Sequence, residues 1–221
     1  LELLRNHLAR PPLIMTLSDA HTFKRSTMDL KQRLHLALAV TTKEFNHALE
    51  QGFEPTSGNY PERMFSYYYI RAIAKALPRA NVFLEVPVTG KRGHKQDNHI
   101  DALVFNNREV VAAEFKVGWA QSHWDAIARD LARLQGPVAQ EIRRKFIDKR
   151  PRRTWVFLGA DCWRQRVAEV WKSGNTAGRR TVPPALGKAH RDYVRVWEDK
   201  GTSFDGYYLT WALLPFDQMS A

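Results

Sequence analysis

The segment HIDALVF at residues 99–105 and the segment EVVAAEFKV at residues 109–117 decide how this chain is interpreted. Both are rich in β-branched and apolar residues, and the turn-prone sequence NNR at residues 106–108 separates them. Two runs of this kind joined by a short polar turn predict a β-hairpin. A two-residue loop within the turn fixes the strand register, because it makes Asn106 the partner of Glu109.

This register places three charged side chains on one face of the hairpin. Asp101 lies directly opposite Glu114, and Lys116 follows two residues later, so its side chain leaves the same face. Directly opposed carboxylates have Cβ atoms about 5 Å apart and repel each other. A cation between them relieves the repulsion, and oxygen ligands suit Mg²⁺ or Mn²⁺, which also bind phosphate oxygens. With an ammonium group to orient or activate a water, the pattern predicts a site for phosphodiester hydrolysis.

The arrangement resembles the PD-(D/E)xK nuclease superfamily, whose members have the restriction-endonuclease-like fold. The family pattern is an acid at the start of one strand, a short hairpin, and acid-any-lysine on the next strand. The matching positions here are Asp101 and the triplet Glu114-Phe115-Lys116. Ile100 stands where the family pattern has a proline, a difference that leaves the proposed chemistry untouched. The resemblance spans roughly residues 60 to 160.

The resemblance implies an α/β fold with an α-β-β-β-α-β core, in which helices flank a central mixed sheet. It also implies metal-dependent cleavage of DNA or, less often, RNA, and an endonuclease is favoured over an exonuclease. Asp101, Glu114 and the main-chain carbonyl of Phe115 would be ligands of Mg²⁺ or Mn²⁺. Lys116 would position or deprotonate the attacking water.

Two further catalytic candidates lie outside the hairpin. Many superfamily members carry an acid on the first core helix that reaches the metal site, and Glu62 matches it. Glu62 also completes a capping box that begins at Asn59, and the two roles are compatible. A polar residue near the start of the helix after the hairpin often supports the chemistry, and Gln121 is the nearest match. On that helix, Arg129 and Arg133 share a face that lines the groove or meets solvent.

The chain is strongly basic, with 34 Lys and Arg against 23 Asp and Glu, a formal net charge of +11 and a pI near 9.9. The excess is concentrated between Ile142 and Arg195, where 15 Lys and Arg face 4 Asp and Glu. Localised positive charge of this size favours nucleic acid as the partner. The resemblance implies that DNA is favoured over RNA. The candidate contacts to nucleic acid are Lys91, Arg92, Lys95, Arg143, Arg144, Lys145, Arg152 and Arg153.

Several other classes of protein have little support. The single cysteine, Cys162, excludes a disulfide framework and a multi-cysteine zinc site, and we expect it to be buried and inert. The eight histidines show none of the spacings of a zinc hydrolase. Since no apolar stretch approaches the ~18 residues of a membrane span, we expect a cytoplasmic protein without a membrane partner.

Periodicity and turn signals give the expected organisation of the chain. Residues 1–58 are expected to form an N-terminal helical extension, and residues 59–221 a nuclease-like domain with a basic C-terminal portion. The leading helix suggests a homodimer or a larger nucleoprotein assembly. We expect helices over residues 1–50, 61–77, 122–135 and 163–171, with a further helical stretch that carries residues 143–145. We expect strands over residues 82–88, 154–159 and 204–214 in addition to the hairpin.

Two alternatives to a nuclease remain open at this point. The first is a non-catalytic nucleic-acid-binding module that keeps the same fold and basic surface. The second is a basic structural or assembly protein whose hairpin acids pair with arginines.

Overall fold

The computed structural model describes residues 28–52, 62–87, 99–117, 121–135, 142, 144, 153–175, 181–198 and 205–216. In chain order its elements are α1 (Leu30–Gly52), α2 (Glu62–Ala76), β1 (Asn81–Pro87), β2 (His99–Phe105), β3 (Glu109–Lys116), α3 (Gln121–Gln135), β4 (Arg153–Cys162), α4 (Gln165–Ser173), a 3₁₀ turn (Pro184–Leu186), β5 (His190–Glu198) and β6 (Gly206–Pro215). Of the helices described, none is long and apolar enough to cross a membrane.

A six-stranded mixed sheet organises this part of the chain, with helices on both faces. Its strand order is β1-β2-β3-β4-β6-β5. The pair β3 and β4 is parallel, and the other neighbours are antiparallel. Parallel neighbours need a crossover connection, and α3 lies in the segment that joins them. The predicted mixed α/β class is therefore confirmed.

The hairpin of β2 and β3 has the predicted register, with Ala102 opposite Ala113. The side chain of Asn106 explains why the turn forms where it does. Its carboxamide oxygen accepts hydrogen bonds from the main-chain N–H groups of Arg108 and Glu109, at 2.8 and 2.9 Å. An Asn that hydrogen-bonds the backbone ahead of it stabilises a tight turn, so this local signal determines the register of both strands.

The sheet face toward α1 and α2 is mostly apolar, and its buried polar groups include Asp161, which accepts a hydrogen bond of 3.0 Å from the Tyr207 hydroxyl. Tyr69 of α2 packs on this face. The Tyr69 hydroxyl donates to the main-chain oxygens of Ala160 and Thr210, at 2.8 and 2.6 Å. Gly159 lies beneath this ring. A Cβ at Gly159 would come within 2.9 Å of atoms of Phe115 and Tyr69, so the close approach of the rings requires glycine.

Helix α1 belongs to the same hydrophobic cluster as α2 and this face of the sheet. Leu34, Leu38, Phe45 and Leu49 are buried at helical spacing. Arg33 adds an ion pair at 2.7 Å to Glu109 at the start of β3. The predicted boundary at residue 58 therefore falls between two helices that share one core.

The opposite face of the sheet is covered by α3 and α4. Trp124 of α3 meets Trp171 of α4 edge-on, with ring centroids 5.5 Å apart, and both side chains are buried. Cys162 at the end of β4 is buried, as predicted. Since Trp124, Leu131 and Leu134 form the buried stripe of α3, the side chains beside that stripe are held near the hairpin.

Strand β5 was not predicted from the sequence. Val194 and Val196 alternate with more exposed residues and are buried on the α1 side, but they lie within a basic segment that obscured the pattern. The boundaries of two other elements differ from the predicted ones. Strand β4 continues beyond the predicted residue 159 to Cys162, and α4 begins at Gln165, two residues after the predicted start.

Candidate functional site

The open end of the β2–β3 hairpin brings together the two predicted acids. Asp101 is partly exposed, and its Oδ2 accepts a hydrogen bond of 2.7 Å from the main-chain N–H of Phe115. Glu114 is only 2% exposed. The N–H of Phe115 therefore orients the Asp101 carboxylate beside a second carboxyl that is shielded from water.

Glu114 is electrostatically strained in this position. Burial and, to a smaller extent, the charge of Asp101 raise the pKa of its carboxyl from 4.5 to about 9. Arg133 and Lys116 lower the pKa, but their attraction does not outweigh burial and repulsion. Ionisation of Glu114 is therefore costly in this position, and a cation that contacts its carboxylate lowers that cost.

Arg133 of α3 makes the closest charged contact to this acid. One nitrogen of its guanidinium, Nη2, forms an ion pair with Oε1 of Glu114. The other, Nη1, donates a hydrogen bond of 2.9 Å to the main-chain oxygen of His99 at the start of β2. Arg133 therefore connects α3 to both strands of the hairpin.

Lys116 also has an acidic neighbour on α3. Its Nζ lies 3.2 Å from Oδ2 of Asp130, and Oδ1 of Asp130 lies 3.7 Å from Nη2 of Arg133. Lys116 keeps 31% of its side chain exposed. The ammonium is thus held on the same side of the hairpin as Asp101 and Glu114, with access to solvent.

Asp130 was not anticipated from the sequence. For Arg133, the sequence left open whether the side chain lines the groove or meets solvent. The signal that would have placed them is the buried stripe of α3. Asp130 and Arg133 lie one residue before Leu131 and Leu134, so they border the side of the helix that packs on the sheet. Their contacts with the hairpin follow only when α3 is known to lie over β3.

The other predicted catalytic residues are described only in part. Glu62 begins α2 and Gln121 begins α3, but their side chains lie outside the described residues. Helix α2 packs on the face of the sheet opposite the one toward which Glu114 points. Their proposed roles therefore stay predictions.

The predicted nucleic-acid contacts are also described in part. Arg144 and Arg153 are exposed. Arg153 pairs with Glu109 at the far end of β3, five residues from Glu114 and so about 16 Å along the strand. The remaining candidates lie outside the described residues: Lys91, Arg92, Lys95, Arg143, Lys145 and Arg152.

The donor set at the hairpin fits a divalent cation by its chemistry. In the part of the chain that the structure describes, no group of three or more His, Cys, Asp or Glu side chains is placed to hold a metal. The predicted set has two such side chains, Asp101 and Glu114, and the carbonyl of Phe115. These are hard oxygen ligands of the kind that Mg²⁺ and Mn²⁺ prefer, and a divalent cation would relieve the repulsion between the carboxylates.

Comparison with known proteins adds no further argument at this site. The sequence matches no protein-family model, no curated protein and no solved structure. The resemblance to the PD-(D/E)xK superfamily accordingly depends on the residues of this chain alone.

Proposed function

We propose that this chain is a metal-dependent nuclease that hydrolyses phosphodiester bonds in DNA. The observation that carries the proposal is the buried Glu114 beside Asp101, with Lys116 on the same side of the hairpin. Burying a carboxyl next to another carboxylate costs stability. Strongly perturbed ionisable groups of this kind are concentrated at functional sites.

The order of the elements supports the proposal. The described elements from α2 to β4 are a helix, three antiparallel strands, a helix, and a strand parallel to the third. Their order agrees with the α-β-β-β-α-β core that the resemblance implies. Because one fold supports many functions, the order of the elements is weaker support for a nuclease than the three charged residues.

Each residue has a distinct role in the proposed reaction. Asp101, Glu114 and the Phe115 carbonyl would hold Mg²⁺ or Mn²⁺, which when bound would supply charge stabilisation for the scissile phosphate. The N–H of Phe115 fixes the orientation of Asp101. Lys116 lies near Asp130, and it would orient or deprotonate the attacking water and balance phosphate charge.

The charge of the whole chain supports a polyanionic substrate. A net charge of +11 favours association with the DNA backbone through release of counterions. Binding should therefore weaken steeply as the salt concentration rises. Contacts of this kind carry no sequence code.

One observation favours a non-catalytic nucleic-acid-binding module as the second candidate. The charges at the hairpin also satisfy one another, since Glu114 pairs with Arg133 and Lys116 lies beside Asp130. A module that had kept the fold for binding alone would need no metal. It would bind nucleic acid in EDTA as well as in Mg²⁺.

A cleavage assay separates these candidates. Plasmid, linear duplex, single-stranded DNA and RNA are incubated with the wild-type chain in Mg²⁺, Mn²⁺ or EDTA. We expect cleavage that depends on the metal and falls about 100-fold or more in Lys116→Ala. The matched control is Lys43→Ala, an exposed position on α1 that removes the same charge and should retain activity.

Other outcomes of this assay would favour a different function. Salt-sensitive binding without cleavage, equal in the wild type and in Lys116→Ala, would favour the binding module. The absence of both binding and cleavage would favour a structural role for the paired charges. Equal cleavage by wild type and Lys116→Ala would remove Lys116 from the proposed site.

A further inference from the structure

We propose that Arg133 is the resident counter-cation of Glu114, and that a divalent cation binds the hairpin acids only by displacing it. The inference rests on the proposed function, because it concerns the same acids. It adds a residue of α3 that controls metal binding from outside the hairpin. Arg133 would thus be a positioning residue, since it acts through Glu114.

The position of the guanidinium is the first argument. Its Nη2 contacts Oε1 of Glu114, the acid that the metal would need. Its Nη1 is held by the main-chain oxygen of His99, so the group lies across the open end of the two strands. A metal bound between Asp101 and Glu114 would therefore meet a cation already in contact with one of its ligands.

Charge is the second argument. Glu114 is 2% exposed, so water gives little screening between a guanidinium and a divalent cation that share it. Together the two cations would place three positive charges beside two carboxylates. Their mutual repulsion opposes simultaneous binding.

The structure also provides a place for the displaced side chain. Arg133 is 27% exposed, so its guanidinium can turn toward solvent without crossing the core. Oδ1 of Asp130, three residues earlier on α3, already lies 3.7 Å from Nη2. Asp130 can therefore retain Arg133 after the contact with Glu114 is broken.

Competition of this kind has a reciprocal consequence. If Arg133 weakens metal binding, the metal weakens the Arg133–Glu114 contact by the same factor. Removing the guanidinium should then tighten metal binding by about tenfold, within the range typical of coupled sites.

The test is a calorimetric titration of the full chain with MnCl₂ and MgCl₂ in the absence of nucleic acid. The variant is Arg133→Gln, which keeps a donor for the His99 carbonyl and removes the charge. The matched control is Arg129→Gln, on the same helix and exposed. We expect tighter binding in Arg133→Gln, and unchanged binding in Arg129→Gln. Asp101→Asn identifies the site, because it should abolish binding.

The outcomes separate this inference from the proposed function. If the wild type binds metal, Asp101→Asn abolishes binding and Arg133→Gln binds no more tightly than wild type, the inference is overturned and the metal site stands. Binding seen only in Arg133→Gln would support the inference. If the wild type and Arg133→Gln both fail to bind, the inference and the metal site fail together.

A second variant decides the case in which Arg133→Gln does not fold. Arg133→Lys keeps the charge but loses the planar fork that contacts both Glu114 and His99. We expect metal affinity between that of wild type and that of a charge-free variant. Affinity equal to or weaker than wild type in a folded Arg133→Lys would overturn the inference.

Discussion

Tyr69 and Glu114 are both buried polar side chains that lie on opposite faces of the sheet. They differ in how well their polar groups are compensated. The Tyr69 hydroxyl donates to two main-chain carbonyls, and burial keeps its pKa well above the ordinary value, so it stays neutral. Glu114 is buried beside a second carboxylate, with an arginine that only partly compensates. The first arrangement stabilises the fold, whereas the second costs stability that a bound cation would restore.

The largest expected effect comes from the packing that holds α3 over the hairpin. Trp124→Ala removes a fully buried ring from its contact with Trp171 and should lower the free energy of unfolding by about 3–5 kcal/mol. Denaturant unfolding measures the change. Arg129→Ala, exposed on the same helix, should change stability by less than about 0.5 kcal/mol. A small loss in Trp124→Ala would mean that α3 is not anchored by this ring.

Gly159→Ala tests the tight packing on the Tyr69 face. The added methyl would lie 2.9 Å from Phe115 and Tyr69, so we expect a loss of about 1–3 kcal/mol from overpacking. Combining it with Phe115→Leu should cost less than the sum of the two single changes, because the smaller side chain makes room. Strict additivity in thermal unfolding would contradict this origin of the strain.

Glu114→Gln tests the opposite face of the sheet, which carries Glu114. Here we expect the substitution to raise the free energy of unfolding. Because the pKa of Glu114 is raised from 4.5 to about 9, the folded state keeps a proton that the unfolded state loses over this range. In EDTA the wild type should therefore lose stability relative to Glu114→Gln as pH rises from 4.5 toward 9. At pH 8 we expect the variant to be more stable by at least about 1.4 kcal/mol, the value of one pKa unit.

Unfolding curves measured from pH 4.5 to pH 9 provide the check. A variant that is less stable than wild type throughout would show that the Arg133 ion pair outweighs the repulsion from Asp101. It would also favour the structural interpretation of the hairpin charges. The same variant should lose metal binding, because an amide is a poor replacement for a carboxylate ligand.

The smallest expected effect is that of Tyr69→Phe. Loss of one hydroxyl that donates to Ala160 and Thr210 should lower stability by about 1 kcal/mol. The loss should be the same from pH 5 to pH 9, because Tyr69 does not ionise in this range. A stability difference between wild type and Tyr69→Phe that changes with pH would show that Tyr69, like Glu114, ionises in this range. Tyr67→Phe, at an exposed position, is the control.

The hairpin and its register were predictable because the information is local. A polar turn headed by Asn106 joins two β-rich runs, so the register that pairs Ala102 with Ala113 followed from the turn alone. Side chains alternate along a strand, and the neighbouring Asp101 and Glu114 were predicted to lie close together for that reason. The burial of Cys162 was predicted as well, from its position between a predicted strand and a predicted helix. By contrast, β5 depends on pairing with β6, which follows it in the chain, and its charged residues concealed the alternation of Val194 and Val196.

The sequence by itself determined which groups carry the proposed chemistry, because residue type and strand periodicity place Asp101, Glu114 and Lys116 on one face. Only the tertiary structure decided the electrostatic state of those groups. The crossover from β3 to β4 lays α3 over the hairpin, and this brings Asp130 and Arg133 into contact with it. The same packing excludes water from Glu114. Burial and pairing of charges depend on neighbours that are distant in the chain, and no local pattern in the sequence specifies them.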